Sequence, residues 1–195
     1  MKNKIYVLLV IASLSLPIAS QTMPKLVVGN KITYGVEANG KSYDFIVTLT
    51  DLNKGIKFNW VMTDPMNLKG SIAISKKALK TAKSYVNYFK PGDQVLDAAS
   101  SVFISDANFK DLKKYEATIM DMQDGNTGEW HTTYPDGFTF SYKGEDISPP
   151  SYYLVLYNES ETTKDYKEVV VVTEGNYHLI LSMSLGWSIR IKSIE

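Results

Sequence analysis

Two histidines are the only imidazoles in the chain, and they are the first candidates for chemistry. His178 lies four residues before Ser182 in an alternating segment. Four residues of extended strand span about 13 Å, so this imidazole cannot reach that hydroxyl to activate it. The chain contains no Gly-x-Ser-x-Gly motif and no cysteine, and His131 and His178 alone are too few for a typical zinc site. The sequence therefore predicts no catalytic residue, no metal centre and no cofactor.

An oxygen-rich stretch is the second candidate site. Its potential ligands are Asp121, Asp124, Asn126, Thr127 and Glu129. Calcium binds roughly six to eight oxygen ligands, but the EF-hand spacing is absent and Asp-Gly-Asn is ordinary turn chemistry. A turn is the preferred interpretation, and calcium binding stays open as the alternative. Asp121 and Glu129 are also the carboxylate pair that a hydrolase would need.

An aromatic cluster offers a binding surface. The candidate ligand-binding residues are Trp130, His131, Tyr134, Tyr153 and Tyr157, with Tyr152 beside them. Aromatic faces bind sugars and peptides, and strands present alternate residues outward. Packing in the core is nevertheless the preferred interpretation, because aromatic residues of a β protein without disulfides are most often buried, and ligand binding stays open as the alternative.

A basic helix face is a further candidate. Lys76, Lys80 and Lys83 would lie together on one face of a helix predicted to begin after Ser75 and to continue to about Tyr88. Such a face could dock an anionic glycan or a lipid head group. A solvated face is the preferred interpretation. A second short helix is predicted after Ser105 or Asp106.

Strands must position these residues, because apolar and polar residues alternate through most of the chain. Between Lys31 and Thr63 the alternation occurs three times, separated by Asn39-Gly40 and by a second turn, which predicts a three-stranded antiparallel meander. The segment from Tyr177 to Lys192 predicts a hairpin around Leu185-Gly186, and the run Val169 to Val172 predicts a strand covered on both faces. Both ends of the chain are therefore expected to share one core.

The first 20 residues are typical of a signal peptide. Lys2 and Lys4 precede an apolar run from Ile5 to Leu16, and small residues follow it. The run is shorter than the roughly 20 residues that cross a bilayer. Residues 21–195 are then expected to form a single β-rich domain with 19 basic and 21 acidic residues, so no global field favours nucleic acid.

Two pairs of segments carry a resemblance to a known family: Lys31 to Tyr34 with Asn39 to Phe45, and Leu179 to Met183 with Leu185 to Trp187. In these segments the chain resembles uncharacterised exported β-rich proteins of Gram-negative bacteria. It implies export and a β-rich fold. It implies no catalytic residues.

The sequence thus predicts a mainly β protein. The expected fold is a curved antiparallel sheet or β-sandwich with one or two short helices, and a half-closed lipid-binding barrel is the alternative. The expected function is that of an exported, non-enzymatic binding or interaction module for a glycan, lipid or protein ligand. The alternatives are a periplasmic carrier or chaperone for apolar ligands in a β cavity, and a carboxylate-based hydrolase. No transmembrane segment is expected in the mature chain.

Overall fold

A computed structural model describes residues 22–63, 66–123, 125–133, 137–157 and 167–195. In these residues the chain forms 16 strands and two helices, so the prediction of a mainly β fold is confirmed. The first elements are β1 (Lys31–Ala38), β2 (Lys41–Asp51), β3 (Gly55–Met62), β4 (Lys69–Ser75), α1 (Lys76–Thr81), β5 (Ser84–Tyr85), β6 (Gly92–Leu96), β7 (Ala99–Ser100) and β8 (Phe103–Ile104). The later elements are α2 (Asp106–Tyr115), β9 (Ala117–Asp121), β10 (Thr127–Thr133), β11 (Phe140–Tyr142), β12 (Glu145–Ile147), β13 (Ser151–Leu156), β14 (Glu168–Val172), β15 (His178–Ser184) and β16 (Ser188–Ile194).

The predicted meander and the predicted last hairpin are both present. Strands β1, β2 and β3 pair antiparallel in chain order, and Asn39 and Gly40 both adopt the positive φ of the predicted hairpin turn. Strand β16 pairs antiparallel with β15 and also with β1, where Ile32 is opposite Ile194. The two ends of the chain therefore share one core, as expected.

One sheet curls until its two edges nearly meet. Its strand order is β6-β4-β3-β2-β1-β16-β15-β14-β13-β10-β9-β5-β7. The edge strands β6 and β7 are separated in sequence only by residues 97–98, so the sheet comes back on itself as a nearly closed, barrel-like layer. This architecture is consistent with both predictions, the curved sheet and the half-closed barrel.

One end of the barrel, here called the closed end, is covered by the two helices and the N-terminal segment. Helix α2 begins with Ser105 as its N-cap, and its Asn108 and Leu112 are buried. Met23 and Leu26 are also buried at this end, where the backbone of Leu26 bonds to the Asn176 side chain. These elements fill the barrel from that end. In the part of the chain that is described, no helix is long and apolar enough to cross a membrane.

The first helix is shorter than predicted. Ser75 caps it as expected, because its hydroxyl accepts a bond from the backbone of Ala78. The helix ends at Thr81, seven residues before the predicted end at Tyr88. The cause is tertiary: the Ser105 hydroxyl bonds to the carbonyl of Ala82, and the following residues join the sheet as β5.

A segment that crosses the barrel interior divides it into two parts. This crossing segment, residues 99–104, begins beside β5 and ends beside β15, where Phe103 is opposite Leu179. The amide of Ile180 donates to the carbonyl of Val102, at 2.8 Å. The closed end with its helices lies on one side of the crossing segment. The other side leads to the open end, where the hairpin turns after β1 and β15 lie.

Candidate ligand-binding site

The predicted aromatic surface is divided between the two faces of the sheet. Trp130 is fully buried, and its indole Nε1 donates to the carbonyl of Met120 at 3.3 Å. Trp130 is therefore a core residue, which corrects its assignment to a binding surface. The reason is the alternation itself: adjacent residues of a strand point to opposite faces of the sheet, so Trp130 and His131 cannot lie on the same face. Tyr152 also packs inside, against Phe109 of α2.

His131 and Tyr157 do lie together on the outer face of β10 and β13. Their ring centroids are 5.4 Å apart, and His131 Nε2 lies 3.4 Å from the carboxylate of Glu129. Tyr153 lies on the same outer face but is half-buried, opposite Thr133. The prediction for Tyr134 lies outside the described residues. Binding by these side chains stays a prediction, since exposed aromatic groups are ordinary on a protein surface.

The alternation of residues from Tyr177 to Met183 predicts that His178 lies with Ser182 on the exposed, polar face of its strand. That prediction is wrong for His178. Its ring stacks on Phe109 with centroids 3.6 Å apart, because α2 covers this end of β15. Burial lowers the pKa of His178, and the carboxylate of Asp106, 3.7 Å away, partly opposes that shift. Ser182 instead lines a polar groove on the outer side of the barrel.

The oxygen-rich stretch is built as a turn. Asp121 accepts bonds from the Gln123 amide, the Thr127 hydroxyl and the Ser84 hydroxyl, at 2.7–3.0 Å. These donors lower the pKa of Asp121, with Thr127 contributing most. Both of its oxygens are thus already used by the protein. Asp124 lies outside the described residues, and no cluster of three metal-ligating acids or histidines occurs among those that are described.

The three lysines do not form one helix face. Lys83 lies beyond the end of α1, and its ammonium is 2.8 Å from the carboxylate of Asp111 on α2. Only Lys76 and Lys80 remain on the helix. The prediction that the three lysines share one helix face is therefore wrong, because the helix is too short to include Lys83.

A cavity opens at the open end of the barrel, a feature that was expected only under the alternative of a carrier for apolar ligands. Its volume is about 520 Å³. Val36, Tyr43 and Phe45 line one wall, from the hairpin of β1 and β2. Met183, Trp187 and Ile189 are contributed by the last hairpin. Most of the remaining lining is also apolar, so a ligand that enters from solvent would contact mainly apolar side chains.

Residues 86–90, here called the rim segment, close the cavity on the side where the barrel is not sealed. The Phe89 ring lies 4.4 Å from Phe45 and 5.4 Å from Trp60, measured between centroids. The Asn87 side chain donates to the carbonyl of Met122, at 2.6 Å. The amide of Val86 donates to Ser100. Aromatic packing and hydrogen bonds thus hold this segment against the sheet.

The floor of the cavity is formed by the crossing segment and by Tyr34. The Tyr34 hydroxyl donates to the carbonyl of Ile180, at 2.9 Å, and burial raises the pKa of this phenol far above its usual value. Ser101 donates to the carbonyl of Val86. Val102 adopts φ +65°, which costs energy for a β-branched residue. The polar groups of the floor therefore bond within the protein, and a strained backbone turn lies directly beneath the cavity.

The mouth of the cavity is more polar than its interior. Asn39, Tyr88 and Lys90 are exposed there, and Trp187 is half-exposed. Lys90 is the charged residue of the lining, and no carboxylate lines the cavity within the described ranges. The site is thus an apolar chamber with a polar, cationic entrance.

The signal for this cavity was scattered over the sequence. Phe45, Phe89 and Trp187 belong to segments more than 40 residues apart. The spacing of apolar residues within each segment indicates only one face of a local strand or helix. Only the pairing of β1 with β16 brings the first and last hairpins to the same end. The shared core of the two chain ends was expected from the sequence, whereas the position of both hairpin turns at one end of a barrel was not.

Comparisons with protein-family models, with curated proteins and with solved structures found no match to this chain. The resemblance to exported β-rich proteins therefore stays a prediction. The function has to be inferred from the geometry of the site.

Proposed function

We propose that this protein is a non-enzymatic binding protein that holds an apolar small molecule in the cavity at the open end of the barrel. The observation that carries the proposal is the cavity itself, about 520 Å³ with largely apolar walls. Small-molecule sites typically measure roughly 300–1,000 Å³ and place a few polar groups around an apolar interior. The cavity matches this description in size and in lining.

The physical driving force is the removal of apolar surface from water. Burying roughly 200 Å² of ligand surface contributes about 5 kcal/mol at 25 cal/mol per Å². Part of this is offset by the lost freedom of the ligand. The aromatic packing of Phe89 on Phe45 and Trp60 fixes one wall in advance, so little ordering of the protein is needed.

The non-enzymatic part of the proposal is supported by the state of the acids. A carboxylate-based hydrolase needs one acid whose pKa is raised, so that it carries a proton at neutral pH. The pKa of Asp121 is instead lowered by the three donors around it. Its partner in the predicted pair, Glu129, lies beside His131 on the outer face of the sheet, away from the cavity.

Export is part of the same proposal. Its support is the pattern of residues 1–20, in which two lysines precede an apolar run and small residues. An exported protein with an apolar chamber would carry or shield a poorly soluble molecule in an aqueous compartment.

The test is a titration with N-phenyl-1-naphthylamine, a neutral apolar dye that fluoresces when it is shielded from water. We expect saturable binding to the purified protein. The variant Ala38→Trp places a large ring at a half-buried position of the cavity lining and should weaken binding at least tenfold. The matched control is Glu37→Trp, which adds the same ring to the same strand on its exposed face.

Two results would contradict the proposal. One is the absence of saturable dye binding to the unmodified protein. The other is equal affinity of the Ala38→Trp and Glu37→Trp variants, which would place the dye outside the cavity. Thermal unfolding of both variants verifies that each remains folded.

A further inference from the structure

We infer that the ligand of the cavity is a single-chain amphiphile with an anionic head group, whose charge is paired by Lys90 at the mouth. This inference rests on the proposed function and specifies its ligand class. It follows from three properties of the site: the charge at the mouth, the fixed position of the rim segment, and the shape of the interior.

The first property is the unbalanced charge. Lys90 is exposed and lines the mouth. Among the described residues, no carboxylate lines the cavity and none forms an ion pair with Lys90. By contrast, the ammonium groups of Lys83 and Lys192 pair with Asp111 and Asp44 at 2.8 and 2.6 Å. The mouth therefore favours an anion over a neutral or cationic group.

The second property is the position of Lys90 in the chain. It follows Phe89, whose ring is held between Phe45 and Trp60, and precedes Pro91, which restricts the backbone. The backbone of Lys90 is thus fixed against the cavity wall, while its flexible side chain remains in water. A compact ammonium on such a stem can follow a head group over a range of positions.

The third property is the direction from polar to apolar. Asn39, Tyr88 and Lys90 surround the exposed entrance. Below them lie Phe45, Met183 and Ile189, and the floor polar groups of Tyr34 and Ser101 bond within the protein. A charged group placed at the floor would find no free hydrogen-bonding or ionic partner there, whereas an apolar chain needs none. The head group therefore lies at the mouth and the chain points inward.

The test compares dodecanoate with dodecanol, which share a 12-carbon chain and differ in head-group charge. Dissociation constants are measured by displacement of N-phenyl-1-naphthylamine, below the concentration at which either probe forms micelles. They are measured for the unmodified protein, for Lys90→Gln, and for Lys57→Gln, a matched control on the exposed face of β3.

We expect the preference for dodecanoate over dodecanol to fall about fivefold in Lys90→Gln, which corresponds to an ion pair of about 1 kcal/mol at an exposed site. Because the ratio is compared between variants, intrinsic differences between the two probes cancel. Lys57→Gln should leave the preference unchanged. The effect of Lys90 should shrink as salt is raised, since the pair is exposed.

The outcomes separate this inference from the proposed function. If both probes displace the dye but Lys90→Gln leaves the preference unchanged, the head-group inference is wrong and the apolar cavity remains supported. If the dye binds but neither probe displaces it, the single-chain amphiphile is ruled out as the ligand and the apolar cavity remains supported by the dye. If the dye itself does not bind, both are overturned. An equal loss of preference in Lys57→Gln would show general electrostatic attraction and would also overturn the role of Lys90.

Discussion

The buried hydroxyl of Tyr34 is the best place to test the structure of the cavity floor. This hydroxyl donates to the carbonyl of Ile180 at 2.9 Å, and both groups are buried. The same Ile180 residue bonds through its amide to Val102 of the crossing segment. Tyr34→Phe keeps the ring, and therefore the packing against Phe45, but removes the donor.

The expected cost follows from that geometry. A buried acceptor that loses its donor costs about 1–3 kcal/mol, and a part is recovered because the phenol no longer has to be desolvated. We therefore expect Tyr34→Phe to lower the free energy of unfolding by about 1–2 kcal/mol. For a domain of this size the melting temperature should fall by roughly 2–8 °C.

The assay is urea unfolding monitored by tryptophan fluorescence, with thermal unfolding as a second readout. The matched control is Tyr157→Phe, whose ring is 59% exposed on the outer face and whose loss of a hydroxyl should change stability by less than about 0.5 kcal/mol. Dye affinity should stay within twofold in both variants, because Tyr34→Phe keeps the ring in the cavity floor and Tyr157 lies on the outer face. Equal stability of Tyr34→Phe and the unmodified protein would refute the assigned hydrogen bond.

Two further predictions concern titrating groups. Because burial keeps the pKa of His178 below its usual 6.5, the unfolded chain binds more protons at mildly acidic pH, so stability should fall as pH drops from 7.5 to 5.5. Urea unfolding at both pH values should show a smaller loss in His178→Asn, and an unchanged loss would contradict the buried stack on Phe109. Asp121→Ala should cost about 1 kcal/mol through lost turn hydrogen bonds, and millimolar calcium should leave the melting temperature of the unmodified protein unchanged. A calcium-dependent rise would show instead that the turn binds the metal.

The parts of the fold that could be predicted are those determined by local pattern. Alternation and Asn39-Gly40 predicted the first meander, and the last hairpin followed from the same rule. Ser75 was predicted as the cap of the first helix, and Ser105 was one of two residues predicted to cap the second; both serve as caps. In each case the physical cause lies within a few residues of the feature, so a single sequence is sufficient.

The parts that could not be predicted depend on contacts between distant segments. Helix α1 stops early because Ser105 bonds to Ala82 and because Tyr85 is drawn into bonds with Ser105 and Asn108. The burial of His178 depends on Phe109, which is almost 70 residues earlier in the chain. The periodicity of the sequence around α1 does not indicate Ser105 as a partner, and the periodicity around His178 does not indicate Phe109.

The candidate site includes features of both kinds, predictable and unpredictable from the local pattern. The placement of Trp130 and His131 on different faces could be predicted from the alternation, because adjacent residues of a strand point in opposite directions. The residues that line the cavity could not be predicted in this way, since Phe45, Phe89 and Trp187 meet only after the sheet curls and β1 pairs with β16. Closure of a sheet is a property of the whole strand order, and the interior volume depends on it.

The most direct measurement of the central claim is a methyl-labelled NMR titration with dodecanol. The cavity lining supplies methyl groups from Met62, Val102 and Met183, whereas Val95 and Ile119 are exposed elsewhere on the molecule. We predict saturable shifts of the cavity methyl groups, with the resonances of Val95 and Ile119 unchanged. Shifts confined to the exposed methyl groups, or no saturable shift at all, would contradict the claim that this barrel holds an apolar ligand in its open end.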